Sequence, residues 1–328
     1  MKPQPYRLLD QQVVRAYVQA RRSHTPDEPR LKLGWSNWGF GQETLAASAE
    51  RLERNGIRYI ELHGNLYSPD MGYRPEETLR VLGDHGLTVS GICGMVTPHQ
   101  EFAHNLHHIR ERAISYFRRQ AEFTAAVGGT YLLFGAASVG RPIAVDSYEV
   151  ERSAQTMRIV ADDFARLGIR GAIEPIRVEE TSIVHTFADA LHLIELVDHP
   201  AISWINGDTY HMLSGELHIG RTILEQGDRL INLHLADTNR RALGRGLLDV
   251  DLLIMALYAI GYQRGDNYCT PEPLGAGADP YVAMNLVPDV AKLDELVSVT
   301  ATTWREREEE VLAASDDELF NLYQIDEA

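Results

Sequence analysis

The chain has 328 residues and a formal net charge of −16 at pH 7, with 44% hydrophobic and 24% charged residues. That length accommodates one large α/β barrel of about 250 residues plus extensions. The acidic balance argues against nucleic acid and anionic membrane surfaces as partners, because both reward basic patches.

Residues 1–30 read as an N-terminal arm: a short helix in LLDQQVVRAYVQARR, then the polar linker SHTPDEPR. The start, MKPQPYRLLDQQ, lacks the apolar stretch of a signal peptide, and no apolar run is long enough to span a bilayer. From 31 to 284, short apolar runs alternate with helix-period segments eight times. The first four runs are LKLGWS (31–36), YIELHG (59–64), LTVSGICG (87–94) and TYLLFGA (130–136). The later four are IRGAIEP (169–175), AISWINGD (201–208), INLHLAD (231–237) and YCTPEPLG (268–275). Between them lie amphipathic stretches such as TLAASAERLERNG and YEVERSAQTMRIVADDFARLG, each ending in Gly as helix C-termini prefer. Units of roughly 30 residues match βα repeats on a parallel sheet. The eightfold count predicts a closed (β/α)8 TIM barrel rather than an open doubly wound sheet. GWSNWGFG after the first strand also lacks the dinucleotide G-x-G-x-x-G order. Residues 285–328 read as a C-terminal helical extension. Its run WREREEEVLAASDDELFNLY is either a solvated helix face or a surface for a partner subunit. Cys93 and Cys269 both fall in strand segments, so no disulfide framework is implied and a reducing cytoplasm is the expected compartment.

Four metal-competent side chains stand near the C-terminal ends of four different strand segments: Glu174, Asp208, His234 and Glu272. In a βα barrel these ends converge on one face, where active sites sit. Three carboxylates and one imidazole meeting there form an oxygen-rich site for a divalent ion, Mn²⁺ first, with Mg²⁺ or Co²⁺ as alternatives. Without a cation, so many like charges repel and shift one another's pKa. Glu174 and Glu272 are each followed by Pro, which favours extended geometry at a strand end. Such a pair can flank a substrate from opposite sides, one taking a C–H proton beside a carbonyl. Glu61 and His63 alternate on one strand and share a face, so His63 is either a site contact or a buried structural residue. Trp35 and Trp38 are either core or a stacking wall for a ring. His99, His104, His107 and His108 crowd one loop, where helical spacing makes most of them surface residues.

The segments GAIEPIRVEET, NGDTYHM, HLADTNRRALGRGLLD and PEPLG resemble the xylose-isomerase-like barrels, and within them the tagatose and psicose 3-epimerases. The resemblance covers roughly 170–275 well and the first half loosely. It implies Glu174, Asp208, His234 and Glu272 as ligands of Mn²⁺ or a similar ion. It further implies that Glu180, His211 and Arg240 contact sugar hydroxyls or the carbonyl oxygen. Arg240 and Arg241 are adjacent, so at most one of them points inward.

The chain departs from the small ketose epimerases in its arm, its tail, its third-strand loop, and in Pro175 and Val178 after the first ligand. The arm, the ELHGN stretch and the TPEPLG segment are more similar to the α subunit of bacterial C-glycoside deglycosidases, which works with a small β subunit. The function expected on that basis is a divalent-metal-dependent carbon–carbon lyase. It would take the proton beside the carbonyl of a 3-keto C-glycoside and eliminate the aglycone. A ketose 3-epimerase or sugar isomerase using the same first step is the alternative. The intact four-ligand set speaks against a third reading, a catalytically dead scaffold. A sugar or glycoside substrate and either a small β subunit or a homo-oligomer are the partners expected.

Overall fold

Residues 4–23, 27–64, 72–275 and 280–325 are described by the structure, a computed structural model. Asn65 of the ELHGN stretch and residues 24–26 of the linker lie outside them. The described residues hold seven strands: β1 (Tyr59–His63), β2 (Thr88–Cys93), β3 (Tyr131–Gly135), β4 (Arg170–Glu174), β5 (Ile202–Asp208), β6 (Leu230–Leu235) and β7 (Tyr268–Pro271). They pair in chain order, and every pair is parallel. Strands buried on both faces read as unbroken apolar runs, and β3 (YLLFG) is buried at every position.

The predicted first strand, 31–36, forms two isolated bridges instead, Leu33 to Cys269 and Ser36 to Glu61. It still closes the barrel. Gly34 N donates to Cys269 O at 2.8 Å and Ser36 N to Pro271 O at 3.0 Å, while Glu61 N donates to Trp35 O at 2.8 Å. The segment's few backbone groups are shared between β7 on one side and β1 on the other, so neither side builds a continuous ladder.

Helices α1 (Pro5–Arg21), α2 (Leu45–Arg54), α3 (Pro75–Asp84), α4 (His107–Ala126), α5 (Glu149–Leu167) and α6 (Phe187–Val197) come in the first part of the chain. After them come α7 (Thr209–Gly215), α8 (Ile219–Gln226), α9 (Val250–Ala259), α10 (Pro280–Asn285), α11 (Val290–Ala313) and α12 (Asp316–Leu322). Their ends follow local chemistry. Thr186 and Asp189 form a capping box at the start of α6, and Ser315 with Glu318 does the same for α12. Gly168 stops α5 at φ 69°, a left-handed conformation that costs glycine little. None of the helices described is long and apolar enough to cross a membrane.

The N-terminal helix is docked rather than loose. Val13, Val14, Tyr17 and Val18 are buried, and α1 packs on α8, α9 and α12. Arg21 donates to Ala314 O at 2.7 Å, and Asp10 pairs with His218 at 2.9 Å. Helix α11 packs between α9 and α2 with Val297, Ala301 and Trp304 buried, so the charge-dense run turns its apolar stripe inward together with the buried Glu308, and most of its other charges outward. Cys93 and Cys269 are buried free thiols.

Candidate metal centre and active site

Glu174 and Asp208 are the last residues of β4 and β5, His234 is the penultimate residue of β6, and Glu272 follows β7 directly. Parallel register sets Asp208 beside His234. All four are buried. The His234 Nδ1 atom lies 3.5 Å from Glu174 Oε1 and 3.5 Å from Glu272 Oε2. Glu174, Asp208 and His234 each present a ligand atom within 4.8 Å of the others, and Glu272 does the same with His234 and Glu61. The fold therefore brings together all four residues singled out at the strand ends.

The electrostatics of this cluster call for a cation. Burial pushes the Glu272 carboxyl up to about 8; His234 opposes this, while Glu174, Glu61 and Asp208 add to it. Burial alone would push His234 down, but Glu61, Glu272 and Glu174 outweigh it and hold the imidazole well above its ordinary range. In a site without countercharge, protons take that place. An oxygen-rich set with one imidazole fits a hard divalent ion there. The remaining carboxylate atoms are oriented by neighbours: Ser36 Oγ donates to Glu272 Oε1 at 2.9 Å, and Tyr210 N donates to Asp208 Oδ1 at 2.7 Å.

Glu61 is the residue whose role sequence reasoning missed. It is fully buried inside the barrel, and its Oε1 lies 2.9 Å from His234 Nε2. A carboxylate accepts there, so Nε2 keeps its proton, and Nδ1, which faces Glu174 and Glu272, is the nitrogen that would give up its proton to a bound cation. This is the arrangement by which an outer carboxylate orients a metal-binding histidine. Glu61 is held in turn by Tyr131 Oη at 2.8 Å and Asn232 Nδ2 at 3.0 Å. Gly91 on β2 makes that possible: a Cβ there would come within 2.3 Å of the Tyr131 ring.

A narrow cavity of about 40 Å³ opens beside Glu174 and Glu272. Glu180, His211 and Arg240 line its polar side, and Trp38, Val96, Ile176 and Tyr281 its apolar side. Glu180 Oε1 receives Arg177 Nε at 2.7 Å and lies 3.3 Å from an Arg240 nitrogen. The Arg177 and Arg240 guanidinium carbons lie 4.9 and 4.7 Å from the Tyr210 ring centroid. Arg240 is buried at φ 58°, whereas Arg241 is exposed, so one of the adjacent pair does point inward. His211 Nε2 lies 3.6 Å from Asp208 Oδ2, and its buried Nδ1 has no hydrogen-bond partner among the described residues.

His63 does not line this cavity. Its ring stands edge-on to Trp38 with centroids 6.3 Å apart, and its Nε2 meets Tyr73 Oη at 2.9 Å. Burial lowers its pKa, which keeps the ring neutral. Of the two residues that alternate on β1, it is Glu61 that touches the cluster. Trp35 is core, stacked on Phe40 at 5.9 Å, while Trp38 is cavity wall. Of the four loop histidines, His107 and His108 are exposed on α4.

The sequence matches the model of the xylose isomerase-like TIM barrels over residues 49–283. The chain belongs to that family. It is 25% identical over 242 residues to the 3-dehydro-D-guloside 4-epimerase of Escherichia coli strain K12, covering 71% of this chain and 89% of the relative. The ketose 3-epimerase of Arthrobacter globiformis is 35% identical over 103 residues, 31% of this chain and 35% of that enzyme. Among solved structures, D-allulose 3-epimerase from Methylomonas sp. in complex with D-allulose superposes with a TM-score of 0.71 at 23% identity, covering 85% of this chain and 98% of that one. The relatives are sugar epimerases, and they support the epimerase or isomerase alternative better than the lyase expectation.

Proposed function

We propose that the chain is a divalent-metal-dependent epimerase acting at the carbon beside the carbonyl of a keto sugar or keto glycoside. The observation that carries this reading is the pair of glutamates, Glu174 and Glu272, each 3.5 Å from the same His234 Nδ1. Glu174, Asp208, His234 and Glu272 would hold the ion, for which Mn²⁺ is the first choice because carboxylates outnumber nitrogen. When bound, such an ion supplies Lewis-acid polarisation of a carbonyl oxygen.

The chain's own residues do the rest. One of Glu174 and Glu272 takes the proton from the carbon, and the electron pair of the C–H bond moves toward the carbonyl oxygen. The other delivers a proton to the opposite face, and the pair returns to carbon. Glu61 fixes the His234 ring. Arg240, steadied by Glu180, and the unpaired His211 Nδ1 meet sugar hydroxyls, and Trp38 covers the apolar face of the ring.

A second reading, elimination from a 3-keto C-glycoside, is favoured by the apolar wall of Trp38, Val96, Ile176 and Tyr281, which suits an aromatic aglycone. The same deprotonation would be followed by cleavage of the C1–aglycone bond. The bond's electron pair leaves with the aglycone, which takes up a proton, and a C1–C2 double bond remains on the sugar. A small β subunit or a second copy as partner belongs to this reading, and the mass of the purified particle tests it.

Chelation, metal analysis and add-back of Mn²⁺ or Zn²⁺ should be combined with product analysis on free ketoses, a 3-keto O-glycoside and a 3-keto C-glycoside. The proposal expects loss on chelation, better recovery with Mn²⁺, and an epimer as product. Released aglycone would select the second reading. Full activity in metal-free protein would overturn the metal assignment in both.

A further inference from the structure

The opposite end of the barrel carries a different chemistry. At the N-terminal ends of the closing segment and β1, beside the C-terminal half of α11, lies a second cavity of about 480 Å³. Four of its lining residues are cationic, Arg30, Lys32, Arg58 and Arg305, against two carboxylates, Glu308 and Glu309. A local excess of positive charge is unusual on a chain whose formal net charge is −16.

The four cations are not equally engaged. Arg305 is tied to Asn55 O at 2.8 Å and Gly56 O at 3.0 Å, and Lys32 to Asp266 at 2.8 Å. The guanidinium groups of Arg30 and Arg58 make no hydrogen bond or ion pair with any described residue, and both residues are exposed. Glu308 attracts Arg30 at longer range but is bonded to neither Arg30 nor Arg58. Glu308 is buried and turned inward, accepting from Leu31 N at 3.0 Å and Tyr258 Oη at 2.8 Å. Burial also raises its pKa. Glu309 is exposed. Tyr59, Leu31 and Leu33 supply apolar surface to the same cavity. Trp304, which also lines it, has a buried Nε1–H without a partner among the described residues.

We propose that this cavity binds a small phosphorylated metabolite, the phosphate meeting Arg30 and Arg58 and the organic part resting on Tyr59 and the two leucines. Arginine is the side chain suited to this, because its planar fork meets two phosphate oxygens at once and it stays charged at all working pH values. The position is remote from the four strand-end residues, on the face of the barrel where neither glutamate of the proposed chemistry reaches. The site is therefore an effector or stabilising site, independent of the reaction assigned above.

Isothermal titration and thermal unfolding of the full chain, at constant ionic strength held with chloride, test this with inorganic phosphate, sulfate and ribose 5-phosphate. The expected result is saturable binding with ribose 5-phosphate tighter than inorganic phosphate, and a melting temperature that rises with ligand concentration. Arg30→Ala and Arg58→Ala should each weaken binding about tenfold, as loss of a charged hydrogen bond does, and leave metal content and turnover unchanged. Arg58→Lys should restore part of the affinity. Equal affinity for phosphate and the sugar phosphate would confine the site to a bare oxyanion and overturn the metabolite claim. No saturable binding, or binding untouched in the double variant Arg30→Ala/Arg58→Ala, would overturn the site.

Discussion

Strands β4, β5 and β6 carry Glu174, Asp208 and His234 at or next to their ends, and β7 runs directly into Glu272. Strands β1, β2 and β3 end instead in His63, Cys93 and Gly135. Cys93, Gly94 and Gly135 line the cavity, where a Cβ on Gly135 would come within 2.9 Å of Ile176. The second half of the barrel thus supplies the charged groups, and the first half supplies room and, through Trp38, an apolar wall. One residue crosses the division. Glu61 sits on β1, yet it acts on His234 of β6 from within the barrel. Charge at a strand end reaches the cavity mouth, whereas charge in mid-strand has to be satisfied by the barrel's interior.

This contrast can be broken most forcefully in the second half. Glu174→Gln or Glu272→Gln keeps size and packing but removes a proton acceptor, and should lower turnover by about 10²–10⁴-fold. Metal analysis alongside the rate separates this from ion loss. A near-normal rate in both variants with metal bound would place the proton chemistry elsewhere, with His211 the next candidate. Glu61→Gln, in the first half, should cost about 10–100-fold in metal affinity or activity. That variant should be rescued in part by excess Mn²⁺, unlike the glutamate-to-glutamine changes above. Arg240→Ala should leave the metal in place and weaken substrate affinity about tenfold, the scale of one charged hydrogen bond. Unchanged Michaelis constants would remove Arg240 from the polar wall.

The smallest effect is one of pH. Metal-free protein holds the Glu272 proton up to about 8, against an ordinary carboxyl value of 4.5. A raised folded pKa means that this group's contribution to stability is complete below about 4.5 and is lost as pH rises through about 8. Metal-free wild type should therefore lose stability relative to Glu272→Gln between these limits. Bound metal should displace the proton and abolish the difference. Parallel pH profiles for the two metal-free proteins would contradict this placement of Glu272.

What could be read in the sequence follows the same division. IRGAIEP and INLHLAD are legible as strands with an acid or imidazole near the end, and it is the recurrence of that placement on four strands, rather than any one residue, that singles out the cluster. The segment 31–36 looked like a strand and became two bridges, since hydrogen-bond sharing between β7 and β1 depends on barrel closure. Glu61 could not be assigned its role because its partners, Tyr131, Asn232 and His234, are 70, 171 and 173 residues away. The signal was there in outline: Glu61, Asn206 and Asn232 are polar residues inside otherwise apolar strands, and each needs a buried partner. His63 was legible as a neighbour of the site, but not as a support for Trp38, because Tyr73 reaches it from a later segment. The two guanidinium groups against Tyr210 join two loops to the first turn of α7 and leave no local pattern to read.

The central claim is that two glutamates exchange a proton beside a carbonyl, and turnover in D₂O tests it most directly. Metal-loaded protein acting on its keto-sugar substrate should yield an epimer with one deuterium at the inverted carbon, seen by NMR and mass spectrometry. The glutamate that delivers the proton equilibrates with solvent before the step. With either glutamate replaced by glutamine, that labelled product should disappear even in excess Mn²⁺. Epimer formed in D₂O by the wild-type protein without deuterium at that carbon would contradict the two-glutamate account.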